Sequence, residues 1–123
     1  KIALKKADVV LIGCDAVLST GKIVNKIGSS VIMDIAEKYD IPVYVCTISW
    51  KFDPKTILGC EEIIEQREGK EVWPNSPKKV KIKNPSFEVV DADKITGIIS
   101  ELGIYQPSVF IEELKRENKW MFD

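Results

Sequence analysis

The feature that most constrains the fold is an uninterrupted apolar run at residues 7–13, ADVVLIG, which ends in a glycine. A run of this kind is typical of a strand that is buried on both faces of a parallel sheet. Residues 25–39 then have the apolar spacing of a helix, with Asn25 as its expected N-cap, and VYVC at 43–46 indicates a second buried strand. This order predicts a β-loop-α-β unit with two parallel strands and a right-handed crossover.

Further elements are predicted around this unit, within an α/β fold whose sheet is mostly parallel. Residues 19–21 indicate a turn, residues 48–59 a loop, and residues 60–72, which include Glu61 and Glu62, fit either a helix or a strand. The Pro-rich and then basic stretch 73–83 indicates a surface connection with an edge strand. We expect a strand at 87–90, a helix at 92–102 capped by Asp91 and closed by Gly103, and an amphipathic helix at 107–119.

Composition narrows the possible functions. The 123 residues are enough for one globular domain with one core. The 18 basic and 19 acidic side chains provide no broad positive surface, so we expect no direct nucleic-acid binding. The chain has no histidine, which excludes Ser-His-Asp and Cys-His catalysis within it and argues against a metal site.

Three observations bear on the cellular setting. The three cysteines form no CxxC pair and leave an odd thiol, which fits a reducing compartment. No signal peptide and no apolar run of membrane-spanning length occur, so we expect a cytoplasmic protein without a membrane partner. The chain starts with a lysine in what has the composition of a helix end, so we expect it to be part of a longer protein.

The carboxyl end of the first predicted strand is one candidate site, because ligands of open parallel sheets bind beyond the carboxyl ends of the strands. Asp15 follows this strand, where burial would raise its pKa toward a general acid or base role. The alternative, which the residues alone favour, is that Asp15 bonds to the following turn. Its neighbour Cys14 is either a reactive thiol or a small buried apolar residue, and we expect the second.

Two other candidate positions carry lysines. Asn25, Lys26 and Gly28 open the predicted helix, where free backbone N–H groups, the helix dipole and the lysine would attract a phosphate. The alternative is an asparagine cap beside a solvated lysine. Lys51 lies between two aromatic residues in WKF at 50–52. It either reaches a phosphate beside an apolar wall, or is solvated while the aromatic side chains join the core or an interface.

At these same positions the sequence resembles a known superfamily, which comprises the regulatory alpha, beta and delta subunits of translation initiation factor 2B and related sugar 1-phosphate isomerases. The matching stretches, in the family's order, are GCDA at 13–16 (family pattern G-A-D), GKIVNKIG at 21–28, IPVYV at 41–45, WKF at 50–52 (family Y-K-F), NPSFE at 84–88 (family N-P-A-F-D) and ITGIISELG at 95–103.

The resemblance implies that residues 1–123 form a Rossmann-like C-terminal domain of a longer, two-domain protein whose helical N-terminal domain completes a sugar-phosphate pocket. In the isomerases of the family, a cysteine from the preceding chain works with the aspartate that aligns with Asp15. By the same resemblance Asn25 and Lys26 correspond to ligands of the substrate, and we add Gly28 and Lys51 as candidates. The resemblance implies a homo-oligomer, either a dimer or a hexamer, and neither a metal nor an organic cofactor.

The branch of the superfamily decides the function. Residues 55–59 and the ending LKRENKW at 114–120 look most like ribose 1,5-bisphosphate isomerase, which predicts conversion of that sugar to ribulose 1,5-bisphosphate. Cys14 in place of the family's alanine and Glu88 in place of its aspartate keep a second hypothesis open, a regulatory or scaffold subunit that binds initiation factor 2 or nucleotide-like phosphates without catalysis. A third is an assembly module whose helices at 92–102 and 107–119 form the contacts between copies.

Overall fold

A computed structural model describes residues 2–60 and 63–123 of the protein. In chain order its strands and helices are β1 (Val10–Ile12), β2 (Ala16–Val17), β3 (Ile23–Lys26), α1 (Ser29–Lys38), β4 (Val43–Cys46), β5 (Phe87–Val90), β6 (Gly97–Ser100), β7 (Gly103–Tyr105) and α2 (Pro107–Glu117). Short 3-10 turns lie at Leu4–Lys6, Ser49–Lys51, Pro54–Leu58, Gly69–Glu71, Ala92–Lys94 and Lys119–Met121.

The main sheet has four strands in the order β1-β4-β6-β7. The first three run parallel and β7 returns antiparallel to β6. The predicted parallel pairing of the first two buried strands is confirmed, with Val10 opposite Val43 and Ile12 opposite Val45. The chain is therefore the predicted α/β protein, with a mostly parallel sheet flanked by helices. The parallel order brings the carboxyl ends of three strands to one edge.

A second, antiparallel sheet has the order β2-β3-β5. Its hairpin closes through the turn predicted at 19–21, where the N–H of Gly21 donates to the carbonyl of Leu18 at 2.9 Å. The two short strands on either side of this turn were not predicted. The strand expected at 87–90 is confirmed, and it pairs with β3 of this second sheet.

The core lies against one face of the main sheet. Val10, Val43, Val45 and Ile98 are buried there with side chains of both helices, among them Met33, Ala36, Phe110 and Leu114. Because successive side chains of a strand point to opposite faces, Leu11 lies on the other face, where it is 60% exposed. The prediction that β1 is buried on both faces is therefore wrong for the described residues.

The helix predicted at 92–102 is also wrong. After Ala92–Lys94 the chain enters β6 in the middle of the sheet, and Gly103 begins β7 instead of closing a helix. The segment 95–100 is rich in β-branched residues, which pack well on a pleated surface. At Gly97 a Cβ atom would lie 3.0 Å from Cε1 of Tyr44, so a larger residue on β6 would push against the Tyr44 ring of β4.

Among the remaining predicted elements, the last helix forms and the edge strand does not. The helix expected at 107–119 is confirmed as α2 followed by the turn Lys119–Met121. No strand occurs in 73–83, so the expected edge strand is wrong there. Within 60–72, Glu61 and Glu62 lie outside the described residues, and the rest holds neither a helix nor a strand beyond the turn Gly69–Glu71 and an isolated bridge between Gln66 and Pro85.

Candidate active site

The carboxyl ends of β1 and β4 bring two of the predicted site positions together. Asp15 follows β1 through Gly13 and Cys14, and Lys51 ends the 3-10 turn Ser49–Lys51 that follows β4. The Nζ of Lys51 donates a hydrogen bond of 2.6 Å to the backbone carbonyl of Cys14. The ammonium group of Lys51 therefore lies beside the residue that precedes the predicted catalytic aspartate.

Cys14 is a buried thiol at this edge. It is 3% exposed, and its Sγ donates to the hydroxyl of Thr47 at 3.2 Å. Burial raises the pKa of the Cys14 thiol, against the smaller lowering by the Thr47 hydrogen bond and the Lys51 charge. Because the thiolate is the nucleophilic form, this environment makes the thiol unreactive and confirms the expected buried apolar residue.

Asp15 is held by its backbone and has an exposed side chain. Its N–H donates to the carbonyl of Val24 at 2.8 Å, which ties it to β3 one residue before Asn25. The sequence predicted that the sheet edge would bury the Asp15 carboxyl, but in the described structure this side chain is exposed. In this chain the Asp15 side chain is therefore accessible to a ligand from solvent.

Asn25 and Lys26 lie on β3, so the predicted N-cap at Asn25 is wrong. Helix α1 begins at Ser29, and its N-cap is Gly28, whose left-handed φ of 101° favours glycine. The side-chain amide of Asn25 instead donates to the hydroxyl of Ser29 at 2.9 Å. That hydroxyl donates in turn to the carbonyl of Lys26 at 2.7 Å, so Ser29 connects the strand end to the start of the helix.

Glu88 on β5 occupies the start of α1. Its Oε1 accepts hydrogen bonds from the N–H groups of Gly28 at 2.8 Å and Ser30 at 2.9 Å. Burial alone would raise the pKa of Glu88, but the hydrogen bonds from Ser30 and Gly28 outweigh it and hold the pKa below its ordinary value. The N–H of Gly28, predicted to be free for a phosphate, therefore already serves this carboxylate.

Lys26 lies at the end of β3. Its Nζ lies 5.1 Å from the centre of the Phe87 ring, within cation–π range, and Phe87 is its partner in the β3-β5 register. Within residues 2–60 and 63–123 its Nζ forms no salt bridge. The phosphate contact predicted for this position would therefore have to come from the lysine side chain.

Glu101 supports the turn that carries Lys51. It follows β6, and its carboxylate accepts the N–H of Ser49 at 2.9 and 3.1 Å. Burial would raise the pKa of Glu101, but the hydrogen bonds from Ser49 outweigh this effect and lower the pKa.

The aromatic neighbours of Lys51 differ in their surroundings. Phe52 is 5% exposed and belongs to the core, whereas Trp50 is 70% exposed.

Glu88 and Glu101 are site residues that sequence analysis missed. Glu88 lies 60 positions from the Gly28 amide that it accepts, and no local spacing shows such a contact. Glu101 could have been found, because it directly follows a parallel strand, but the prediction placed it in a helix.

The described residues, 2–60 and 63–123, contain no group of three or more His, Cys, Asp or Glu side chains that could hold a metal ion. Over those same ranges no helix is long and apolar enough to cross a membrane.

The arrangement suits the chemistry of a phosphorylated sugar. Asp15 has an exposed side chain, its backbone N–H bonds to β3, and the Nζ of Lys51 bonds to the backbone carbonyl of the preceding residue. Carboxylates transfer protons to and from hydroxyl groups, and ammonium groups bind phosphates as point charges. The side-chain amide of Asn25 can donate hydrogen bonds to sugar hydroxyls and accept hydrogen bonds from them.

Comparisons with known proteins identify the family of the chain. A sequence model of the initiation factor 2 subunit family matches residues 1–107. The chain is 41% identical over 114 residues to methylthioribose-1-phosphate isomerase of Symbiobacterium thermophilum, an alignment covering 88% of this chain and 32% of that relative. It is 41% identical over 106 residues to ribose 1,5-bisphosphate isomerase of Methanocaldococcus jannaschii, covering 85% of this chain and 34% of that one.

A solved structure shows the same fold. The translation initiation factor eIF-2B subunit delta from A. fulgidus matches with a TM-score of 0.77 and 28% identity, over 93% of this chain and 36% of that one. The chain thus spans about a third of the length of these relatives. The match over residues 1–107 and the two 41% identities confirm the resemblance seen in the motifs: the chain belongs to the initiation factor 2 subunit family.

Proposed function

We propose that this chain is the C-terminal domain of a sugar 1-phosphate isomerase, an aldose-ketose isomerase whose substrate is ribose 1,5-bisphosphate. The observation that carries the proposal is the 2.6 Å hydrogen bond from Lys51 to the carbonyl of Cys14, which puts a lysine beside the backbone that carries the exposed Asp15. Relatives named as isomerases of ribose 1,5-bisphosphate and methylthioribose 1-phosphate support the reaction class. A helical domain of the longer protein would cover Asp15 and supply the cysteine that the family resemblance implies.

The proposed reaction moves one hydrogen between neighbouring carbons. A phosphate on C1 keeps the sugar ring from opening freely, so an acid must protonate the ring oxygen. Asp15 donates that proton, C2 is oxidised to a ketone as its hydrogen passes to C1, and C1 is reduced. The proton released from the C2 hydroxyl returns to Asp15, so the product is an isomer and no cofactor is consumed.

The proposed substrate carries two phosphates, and we assign one of them to each of the two lysines. Lys26 has an ammonium group beside the Phe87 ring that forms no salt bridge among the described residues, and Lys51 uses one of its three N–H donors on the Cys14 carbonyl. Each lysine can therefore bind one phosphate, while Asn25 bonds to a ring hydroxyl. Gly28 contributes by its backbone conformation, which turns the chain between Lys26 and α1.

The test is turnover by the full-length protein. Purified protein is incubated with ribose 1,5-bisphosphate, methylthioribose 1-phosphate or 5-deoxyribose 1-phosphate, and the ketose is quantified. We expect the highest kcat/KM with the bisphosphate. Loss of general acid–base catalysis in Asp15→Asn should lower kcat by about 100-fold to 10,000-fold. Equal rates for all three sugars would refute the bisphosphate assignment, and normal turnover by Asp15→Asn would refute the role of Asp15.

A regulatory subunit that binds initiation factor 2 is the second candidate function. It is favoured by the exposed Asp15 and by the structural match to the eIF-2B subunit delta. In that case the full-length protein would bind initiation factor 2 in a pull-down and convert none of the three sugars. Light scattering of the same sample would test the proposed dimer or hexamer.

A further inference from the structure

Two aromatic pairs join the Lys51 turn to the last segment of the chain. The rings of Trp50 and Trp120 lie 5.6 Å apart at 49°, and those of Phe52 and Phe122 stack at 4.9 Å and 22°. The residues on either side of Lys51 are therefore each paired with a residue of segment 118–123, which we name the closing segment. Aromatic pairs at such distances stabilise a contact beyond the area they bury.

The closing segment is itself anchored to the core. Helix α2 contributes Phe110 and Leu114, both fully buried, and ends just before the closing segment. Met121, between the two aromatic residues of the closing segment, is 8% exposed and packs into the same core. The rings of Trp120 and Phe122 are thus presented from a fixed backbone.

The exposure of the tryptophans argues against a purely structural role. Trp50 is 70% exposed and Trp120 60%, so their pairing buries little apolar surface. The Phe52-Phe122 pair, by contrast, belongs to the buried side of the turn. The Trp50–Trp120 pair instead constrains the backbone beside Lys51. The long side chain of Lys51 must give up rotamer freedom to hold its Nζ 2.6 Å from the Cys14 carbonyl oxygen.

We infer that the closing segment is a positioning element for Lys51, with Trp120 as its principal residue. Trp120 and Phe122 hold the turn Ser49–Lys51 so that the Nζ of Lys51 reaches the edge beside Asp15 and, in the substrate complex, a phosphate. The phosphate part of this statement rests on the proposed function. The family model matches only residues 1–107, so it assigns no role to this segment.

The first experiment measures kinetics in the full-length protein. Trp120→Ala should raise KM for ribose 1,5-bisphosphate roughly fivefold to tenfold with less than a twofold change in kcat, because a ground-state contact is weakened. Trp120→Phe should restore most of the affinity. In a Lys51→Met background, Trp120→Ala should have no further effect, which a general loss of structure would not produce. Trp73→Ala, at a tryptophan of comparable exposure outside the site, is the matched control and should leave KM unchanged.

The second experiment does not depend on turnover. Lysines are acylated with a limiting amine-reactive ester, and the modified peptides are quantified by mass spectrometry. We expect Trp120→Ala to increase the labelling rate of Lys51 roughly fivefold, because its ammonium is held less firmly, and to leave Lys26 unchanged. Phe122→Leu, which keeps the apolar volume but removes the stack, should give a smaller increase.

The two experiments separate the two ideas. If the wild-type protein shows no isomerase activity but Lys51 labelling rises in Trp120→Ala, the positioning role stands and the proposed function fails. Unchanged Lys51 labelling in both Trp120→Ala and Phe122→Leu would overturn the inference whatever the activity. Additive effects of Trp120→Ala and Lys51→Met on KM would overturn it as well.

Discussion

Both carboxylate oxygens of Glu88 accept hydrogen bonds from Ser30 at the start of α1. One accepts the Ser30 N–H at 2.9 Å and the other accepts the Ser30 hydroxyl at 2.7 Å. A carboxylate at this end of a helix satisfies unpaired N–H groups and meets the positive end of the helix dipole. Here the cap comes from a neighbouring strand, 58 residues along the chain. The segment between Asn25 and α1 is therefore held by β5.

Because this cap depends on an ionised carboxylate, the pH dependence of the free energy of unfolding tests the contact. Because the folded-state pKa of Glu88 lies below its ordinary value of 4.5, the ionised carboxylate stabilises the fold above that pH. The contribution is lost as the pH falls through the lowered pKa. Glu88→Gln should reduce the free energy of unfolding at pH 7 by about 0.5–1 kcal/mol. The difference from wild type should shrink toward pH 3, as measured by urea unfolding at a series of pH values.

The matched control is Glu112→Gln, at an exposed position on α2. It makes the same chemical change without removing a cap, and its unfolding curve should follow that of the wild type at every pH. A constant gap between Glu88→Gln and the wild type from pH 7 to pH 3 would contradict the role of the charge.

The corrected position of the α1 start shows what local sequence can predict. The turn at 19–21, the parallel strands β1 and β4, and the helix body were predictable because each depends on neighbouring residues. Asn25 has the preferred chemistry of an N-cap, but its place is decided by pairing with Glu88 on β5. A distant carboxylate replaced the local cap, and only the three-dimensional structure reveals such a partner.

Two buried serines give stability predictions of opposite sign. Ser86 is 3% exposed, and its hydroxyl oxygen has no hydrogen-bond partner within the described part of the chain. Ser86→Ala, which restores the residue of the family pattern N-P-A-F-D, should raise the free energy of unfolding by about 1 kcal/mol, because an unpaired buried hydroxyl is removed. Ser29 is 6% exposed and its hydroxyl bonds to Asn25 and Lys26, so Ser29→Ala should lower it by a similar amount.

Thermal and urea unfolding of both variants provide the measurement. If Ser86→Ala is as destabilising as Ser29→Ala, the Ser86 hydroxyl has a partner and the reasoning fails. Circular dichroism at low temperature should be the same for both variants and the wild type, since neither change adds volume.

Two glycines with nearly the same backbone conformation differ in their surroundings. Gly21 has a φ of 78° and Gly59 one of 76°, so an alanine costs about 1 kcal/mol of backbone strain at either. A Cβ at Gly21 would also lie 3.0 Å from the Cβ of Pro107, the first residue of α2. At Gly59 a Cβ would meet no described atom within 4 Å.

Gly21→Ala should therefore destabilise the protein by about 2–3 kcal/mol and Gly59→Ala by about 1 kcal/mol, the difference being the overpacking against α2. Chemical unfolding of the two variants side by side tests this. Equal losses would mean that the hairpin turn and the start of α2 separate at little cost.

The segment that sequence analysis placed in a helix holds the residue for the last prediction. Ile95, Ile98, Ile99 and Leu102 have helical spacing, yet the chain there forms β6 in the middle of the sheet. Burial between β4 and β7 decided the outcome over periodicity. As a result Glu101, which a helix would have exposed on its surface, follows a parallel strand and reaches the N–H of Ser49.

Glu101→Gln should loosen the Lys51 turn, because Glu101 accepts the N–H of Ser49 in that turn. The amide keeps one acceptor but loses the charge that strengthens both contacts to Ser49, so we expect KM for the proposed substrate to rise about threefold. The free energy of unfolding should fall by less than about 1 kcal/mol, since Glu101 is largely open to solvent. Lys51 acylation should increase, and the increase should exceed that of Glu112→Gln, at an exposed position on α2. Because Glu101 and Trp120 act on the same turn from different elements, the double variant Glu101→Gln, Trp120→Ala should label Lys51 faster than either single variant. A double variant no faster than Trp120→Ala alone would show that Glu101 does not support the turn.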